Sequence, residues 1–188
     1  MLSYIESATP GFFHAAASNL ECINKIQRRF LRAVGLSEER ALLDYRLAPL
    51  QTRRCIGILG FLHRVVLCQV STQISDLFPM APVRATPDNI ASRARGGVCA
   101  RHSRQLMDRV QASSSDQFRR SIFGLVQCYN SLPQSIVDQP IVTVFQRSLQ
   151  AALSQHAQSC LINPQDIWSD CGRYASVLRF QALFRGHF

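Results

Sequence analysis

Between Ser18 and Val34, the residues Leu20, Ile23, Gln27, Phe30 and Val34 recur at three- and four-residue steps, and Ile26 and Leu31 widen the stripe. Only an α-helix brings residues at that spacing onto one face. No segment alternates strictly between apolar and polar residues for more than a few positions, so no strand signal of comparable strength competes. The spacing therefore predicts an all-α chain. The start of this first helix reads as a capping box, with the Ser18 hydroxyl accepting from the third helical amide and Glu21 reaching back to the cap. Gly35 supplies the left-handed residue that ends it.

The same grammar places the other helices. Ser37 followed by Glu38 and Glu39 caps a short helix through Tyr45, with both acids at its positive end. Pro49 opens a third helix from Leu50 to Val70, with Leu50, Ile58, Leu59, Leu62, Val65 and Val66 facing the core. Gly57 and Gly60 within it each cost about 1 kcal/mol against alanine, which points to close approach of another helix. Residues 75–100 carry Pro79, Pro82, Pro87, Gly96 and Gly97 with few large apolar residues, as a long surface loop does. Further helices are expected over Arg101 to Gln111, Phe118 to Tyr129 and Pro140 to about Gln158. In the last of these, Ile141, Phe145, Leu149, Ala152 and Leu153 point inward. The expected architecture is an irregular multi-helix bundle with a long Pro/Gly/Arg-rich loop. It divides into an N-terminal helical part (residues 1–74), the loop or linker (75–100), a C-terminal helical part (101–160) and a tail (161–188). Met1 to Ile5 reads as the inside of a helix cut from a longer chain.

Composition narrows the chemistry. In 188 residues, 47% are hydrophobic, enough for a core without disulfides or a metal. The seven cysteines, at 22, 55, 68, 99, 128, 160 and 171, form no C-x2-C pair and read as reduced thiols inside a cell. Cys99 and His102 make a half-site for zinc, but no second half of normal spacing follows, so no metal is expected. The apolar run Ile56 to Val70 is about 15 residues long and is broken by His63 and Arg64. A membrane span needs about 20, so no membrane partner is expected. Met1 to Ala17 lacks the basic start of a secretory signal, which leaves nucleus or cytoplasm. Twelve carboxylates, with no Asp-Asp in a strand-turn-strand setting and no glycine-rich phosphate loop, give no expected cofactor and no catalytic residues. A cysteine nucleophile lacks any local signature, and a buried structural thiol is the commoner role.

The charge is lopsided: 21 basic against 12 acidic residues, net +9, and Lys25 is the sole lysine beside 20 arginines. Arginine offers planar, bidentate donors suited to phosphate. Lys25, Arg28, Arg29 and Arg32 fall on one stripe of the first long helix. Glu21 is placed to pair with Lys25, whereas Arg28, Arg29 and Arg32 have no acid three or four residues away. Arg53 and Arg54, at the start of the third helix, also lack local acids. Arg119 and Arg120 close the most basic stretch, Arg84 to Arg120, with eight arginines and three aspartates. Two readings are open for the stripe. It is a solvated face, or one bridged to Glu38, Glu39 and Asp44; or it contacts the phosphates of RNA or DNA.

Three blocks in order carry a family resemblance. They are Ile26-Gln27-Arg28-Arg29-Phe30-Leu31-Arg32 ending in Gly35-Leu36; Leu47-Ala48-Pro49-Leu50 with Arg53-Arg54 and Leu59-Gly60-Phe61-Leu62-His63-Arg64; and Arg120-Ser121-Ile122-Phe123-Gly124-Leu125 with Tyr129-Asn130-Ser131-Leu132-Pro133 and Val144-Phe145-Gln146. Together, over about residues 1 to 155, they resemble the region that follows the polymerase domain in LINE-like, jockey-type non-LTR retrotransposon reverse transcriptases. The resemblance implies an RNA-directed DNA polymerase as parent protein. It also implies a helical region that holds template RNA or target DNA, with the polymerase portion as a partner. The chain departs from the family in lacking the paired palm aspartates and the endonuclease, and Tyr129 stands where tryptophan is usual. No catalytic residue is carried over. A nucleic-acid role passes to Arg28, Arg29, Arg32, Arg53 and Arg54 only. The rival expectation is a helical structural or interaction module that binds no nucleic acid.

Overall fold

A computed structural model describes residues 15–82, 102–110, 115, 117–118 and 121–159. Among these the chain is all-α, and β pairing is limited to an isolated antiparallel bridge between Met80 and Leu106. Helix α1 spans Ala17–Ala33, α2 Glu38–Leu43, α3 Leu50–Val66 and the single turn α4 Thr72–Ser75. After the bridge come a 3-10 turn, Ile122–Leu125, then α5 (Val126–Asn130), α6 (Gln134–Val137) and α7 (Val142–Ser159). The start of the chain, most of the expected loop and the tail lie outside the described residues.

Local sequence accounts for most helix ends. Gly35 stands at φ 71°, and the Leu36 amide reaches back to the Leu31 carbonyl at 2.9 Å, which closes the last turn of α1. Ser37 Oγ accepts from the Arg40 amide at 3.1 Å and caps α2. The capping box at Ser18 does not form: α1 begins one residue earlier, after Ala16, with no side-chain cap. The third helix stops at Val66 rather than Val70, because Cys68 turns to φ 56° and breaks the ladder.

Helix α3 is the axis of the core. Ile58, Leu59 and Leu62 are wholly buried, each stabilising the fold by about 1.5–3 kcal/mol relative to exposure. Phe145 and Leu149 of α7 and Tyr129 of α5 pack on it within one hydrophobic cluster that extends from Leu42 to Leu149. Described residues before position 83 and after position 101 thus share a core. Gly60 lies where α7 crosses, and a Cβ there would overlap the Gln146 side chain. Gly57 has open space around it, so only one of the two glycines marks the close approach. Ile141, expected inward, is exposed, and Val142 takes the buried place at the start of α7.

The helix expected over Arg101 to Gln111 is absent from 102–110. This backbone is satisfied from outside instead. Leu106 donates to Asn130 Oδ1 at 2.9 Å and accepts from Asn130 Nδ2 at 2.7 Å. On the other edge the Ala81 amide donates to Gln105 O and the Met107 amide to Pro79 O, each at 2.8 Å. These bonds on both edges use the amides and carbonyls at positions 105–107 that a helical ladder would need.

Two buried imidazoles lock this region to the core. His63 of α3 stacks on Phe145, ring centroids 4.1 Å apart, donates from Nε2 to the Gln139 carbonyl at 2.7 Å and accepts from the Tyr129 hydroxyl at Nδ1 over 3.0 Å. His102 donates from Nε2 to the Tyr129 carbonyl at 3.0 Å and accepts the Arg104 amide at Nδ1 over 3.2 Å. Both rings are saturated as neutral tautomers. Burial pushes both pKa values below the ordinary histidine value and that of the Tyr129 hydroxyl well above its own. With both nitrogens of His102 in use, the Cys99–His102 half-site has lost one of its donors.

Candidate nucleic-acid interface

The eight basic residues singled out by sequence fare differently. Lys25, Arg29 and Arg32 are exposed on α1 at i, i+4 and i+7, a single line along the helix. None of them makes an ion pair or side-chain hydrogen bond among the described residues. Bridging to the following helix does not occur either, since Asp44 pairs with Arg40 at 3.5 Å.

Arg28 leaves this line. It is half-buried and pairs with Glu21, two helical turns back. Glu21 therefore does not serve Lys25 as its four-residue spacing suggests. The same carboxylate accepts from Asn24 Nδ2 at 3.1 Å, and Asn24 Oδ1 accepts from Arg54 Nη2 at 2.9 Å. Arg28, Glu21, Asn24 and Arg54 thus form a continuous polar chain that ties α1 to α3.

Arg54 is the clear correction to the sequence-based set. Only 2% of it is exposed, and it contributes to helix packing rather than to an outer surface. Burial lowers its pKa from the usual arginine value, and the guanidinium is held by a neutral amide instead of a carboxylate. Its immediate neighbour Arg53 is half-buried at the first turn of α3 and already engaged. Arg119 and Arg120 lie outside the described residues.

Sequence reasoning missed the interhelical role of Asn24. Gln27 was placed on the core face, where it is indeed buried, and its Nε2 donates to the Ala48 carbonyl at 3.1 Å just before α3. The available signal was that Asn24, Gln27 and Leu31 share one face of α1 at three- and four-residue steps. That face, not the one through Phe30 and Val34, meets α3. The electrostatic result is a strip of three cations on α1 with no acidic partner among the described residues, backed by a polar clamp that joins one carboxylate to two guanidiniums. Among the described residues no three metal-ligating side chains gather, and no helix is long and apolar enough to cross a membrane. Comparison with protein-family models, with curated proteins and with solved structures finds no match for this chain.

Proposed function

We propose that this chain is a non-catalytic, nucleic-acid-binding helical module that holds RNA or DNA on α1. One observation carries the reading: Lys25, Arg29 and Arg32 stand exposed in line without an acidic partner among the described residues. Three fixed cations on one helix face suit successive phosphates, and phosphate contact is where most nucleic-acid affinity originates. The resemblance to the post-polymerase region of LINE-like reverse transcriptases agrees with this role. It extends the proposal to a parent RNA-directed DNA polymerase, whose remaining part would be a second partner.

The test is a binding titration of the full chain against RNA and DNA at several salt concentrations. Replacing Arg29 and Arg32 with glutamate should weaken binding at least tenfold and flatten the salt slope by roughly 0.7 to 0.9 per lost contact. An unchanged slope excludes phosphate contact by this strip. A second reading, a helical interaction module that binds no nucleic acid, draws on the internal use of Arg28 and Arg54. Absence of salt-dependent binding to any RNA or DNA would favour it.

A further inference from the structure

Beside the basic line on α1 runs a second exposed line with different chemistry. Ile26, Phe30 and Val34 are 39%, 48% and 50% exposed, large values for such side chains. They recur at i, i+4 and i+8, parallel to Lys25, Arg29 and Arg32 over about 12 Å of helix. On the helical wheel Cys22 and Ala33, both exposed, lie between the two lines. The outward half of α1 is therefore two parallel strips, one cationic and one apolar, with an aromatic ring at the centre of the apolar one.

Three partly exposed side chains offer on the order of a few hundred Å² at most, well below the ~800 Å² per partner that a stable protein interface needs. A duplex presents phosphates on its outside and keeps the base faces stacked within, so it would meet the cations and leave the apolar strip uncovered. A single strand presents both surfaces at once: phosphates along one edge and unstacked base faces along the other. We propose that α1 is a platform for single-stranded nucleic acid, with Lys25, Arg29 and Arg32 on the phosphates and Phe30 stacking a base between Ile26 and Val34. This rests on the nucleic-acid reading above and adds to it the strandedness of the ligand and the residue that selects it.

The experiment measures binding of the full chain to oligo-uridine of about 20 nucleotides and to a blunt duplex of equal length, across salt concentrations. Oligo-uridine should bind more tightly. Phe30→Ala should weaken its binding by roughly 5- to 100-fold, with the salt slope unchanged because no charge is removed, while duplex binding stays as it was. Phe30→Trp should restore the single-strand affinity. As a check on the unmodified chain, oligo-uridine should slow alkylation of Cys22, between the strips, and leave that of the exposed Cys68 unaltered. Equal binding of both probes, or indifference to Phe30→Ala, overturns the platform. If Arg29→Glu with Arg32→Glu still weakens binding in that case, the broader nucleic-acid reading survives it. If those substitutions also change nothing, both fall.

Discussion

Helices α1 and α3 are each 17 residues long, and each carries two adjacent arginines. Yet α3 is buried on most of its circumference, and α1 only along Gln27 and Leu31 with half-buried neighbours. In α3 even a guanidinium, Arg54, is taken inside, while on α1 even a phenyl ring, Phe30, is left outside. Burial here follows position in the bundle more than residue type. A helix enclosed on several sides has no outward face for its second arginine. A peripheral helix has only one inward face, and any apolar residue beyond it is left for solvent or a ligand.

The contrast can be broken most forcefully at the contact between α3 and α7. Phe145→Ala removes the ring stacked on His63 and should cost about 3–5 kcal/mol in denaturant unfolding. A smaller loss would mean that α7 does not complete the core. Next comes Arg54→Ala, which leaves Asn24 Oδ1 unsatisfied and removes buried packing. It should cost about 2–3 kcal/mol, whereas Arg29→Ala on α1 should stay within about 0.5 kcal/mol. Equal effects of the two would abolish the distinction drawn between the helices. Arg54→Ala measured above its melting transition would say nothing of binding, so the salt slope for oligo-uridine is to be read under folding conditions, where it should match the unsubstituted chain.

A further effect is graded by pH. His63 and His102 have pKa values lowered by burial, with Arg104 lowering both further and Asp138 opposing this at His102. The unfolded chain therefore binds protons near 6.5 while the folded chain does not. The stability they contribute is intact above that pH and declines below it until the folded pKa is reached. Unfolding midpoints followed from pH 7.5 to 5 should show this fall, and His63→Gln should remove part of it. A flat profile would mean that the rings titrate as freely as an exposed histidine.

Much of the fold was legible because its signals are local. The turn at Gly35, the Ser37 cap and the helix after Pro49 depend on backbone geometry within a few residues, and each formed at its expected place. The segment 102–110 was not legible, since its helix was displaced by hydrogen bonds from Asn130, Pro79 and Ala81, all distant in sequence. The basic set was half legible. Spacing aligned Lys25, Arg29 and Arg32 but also included Arg28, which pairs with Glu21, and nothing in the order Arg53-Arg54 distinguishes a half-buried arginine from a wholly buried one.

By itself, then, the sequence determined that the chain is helical, where several helices begin and end, and that its cations cluster on α1. These follow from spacing and from backbone preference, which act over one or two turns. The tertiary structure decided which face of α1 turns inward, which arginine becomes a packing element, and that Phe30 stays outside beside three cations without an acidic partner among the described residues. Those outcomes depend on which residues the rest of the chain presents at each contact: Asn24 opposite Arg54, Ala48 opposite Gln27, Gln146 opposite Gly60. A residue's own spacing carries no record of its distant partner.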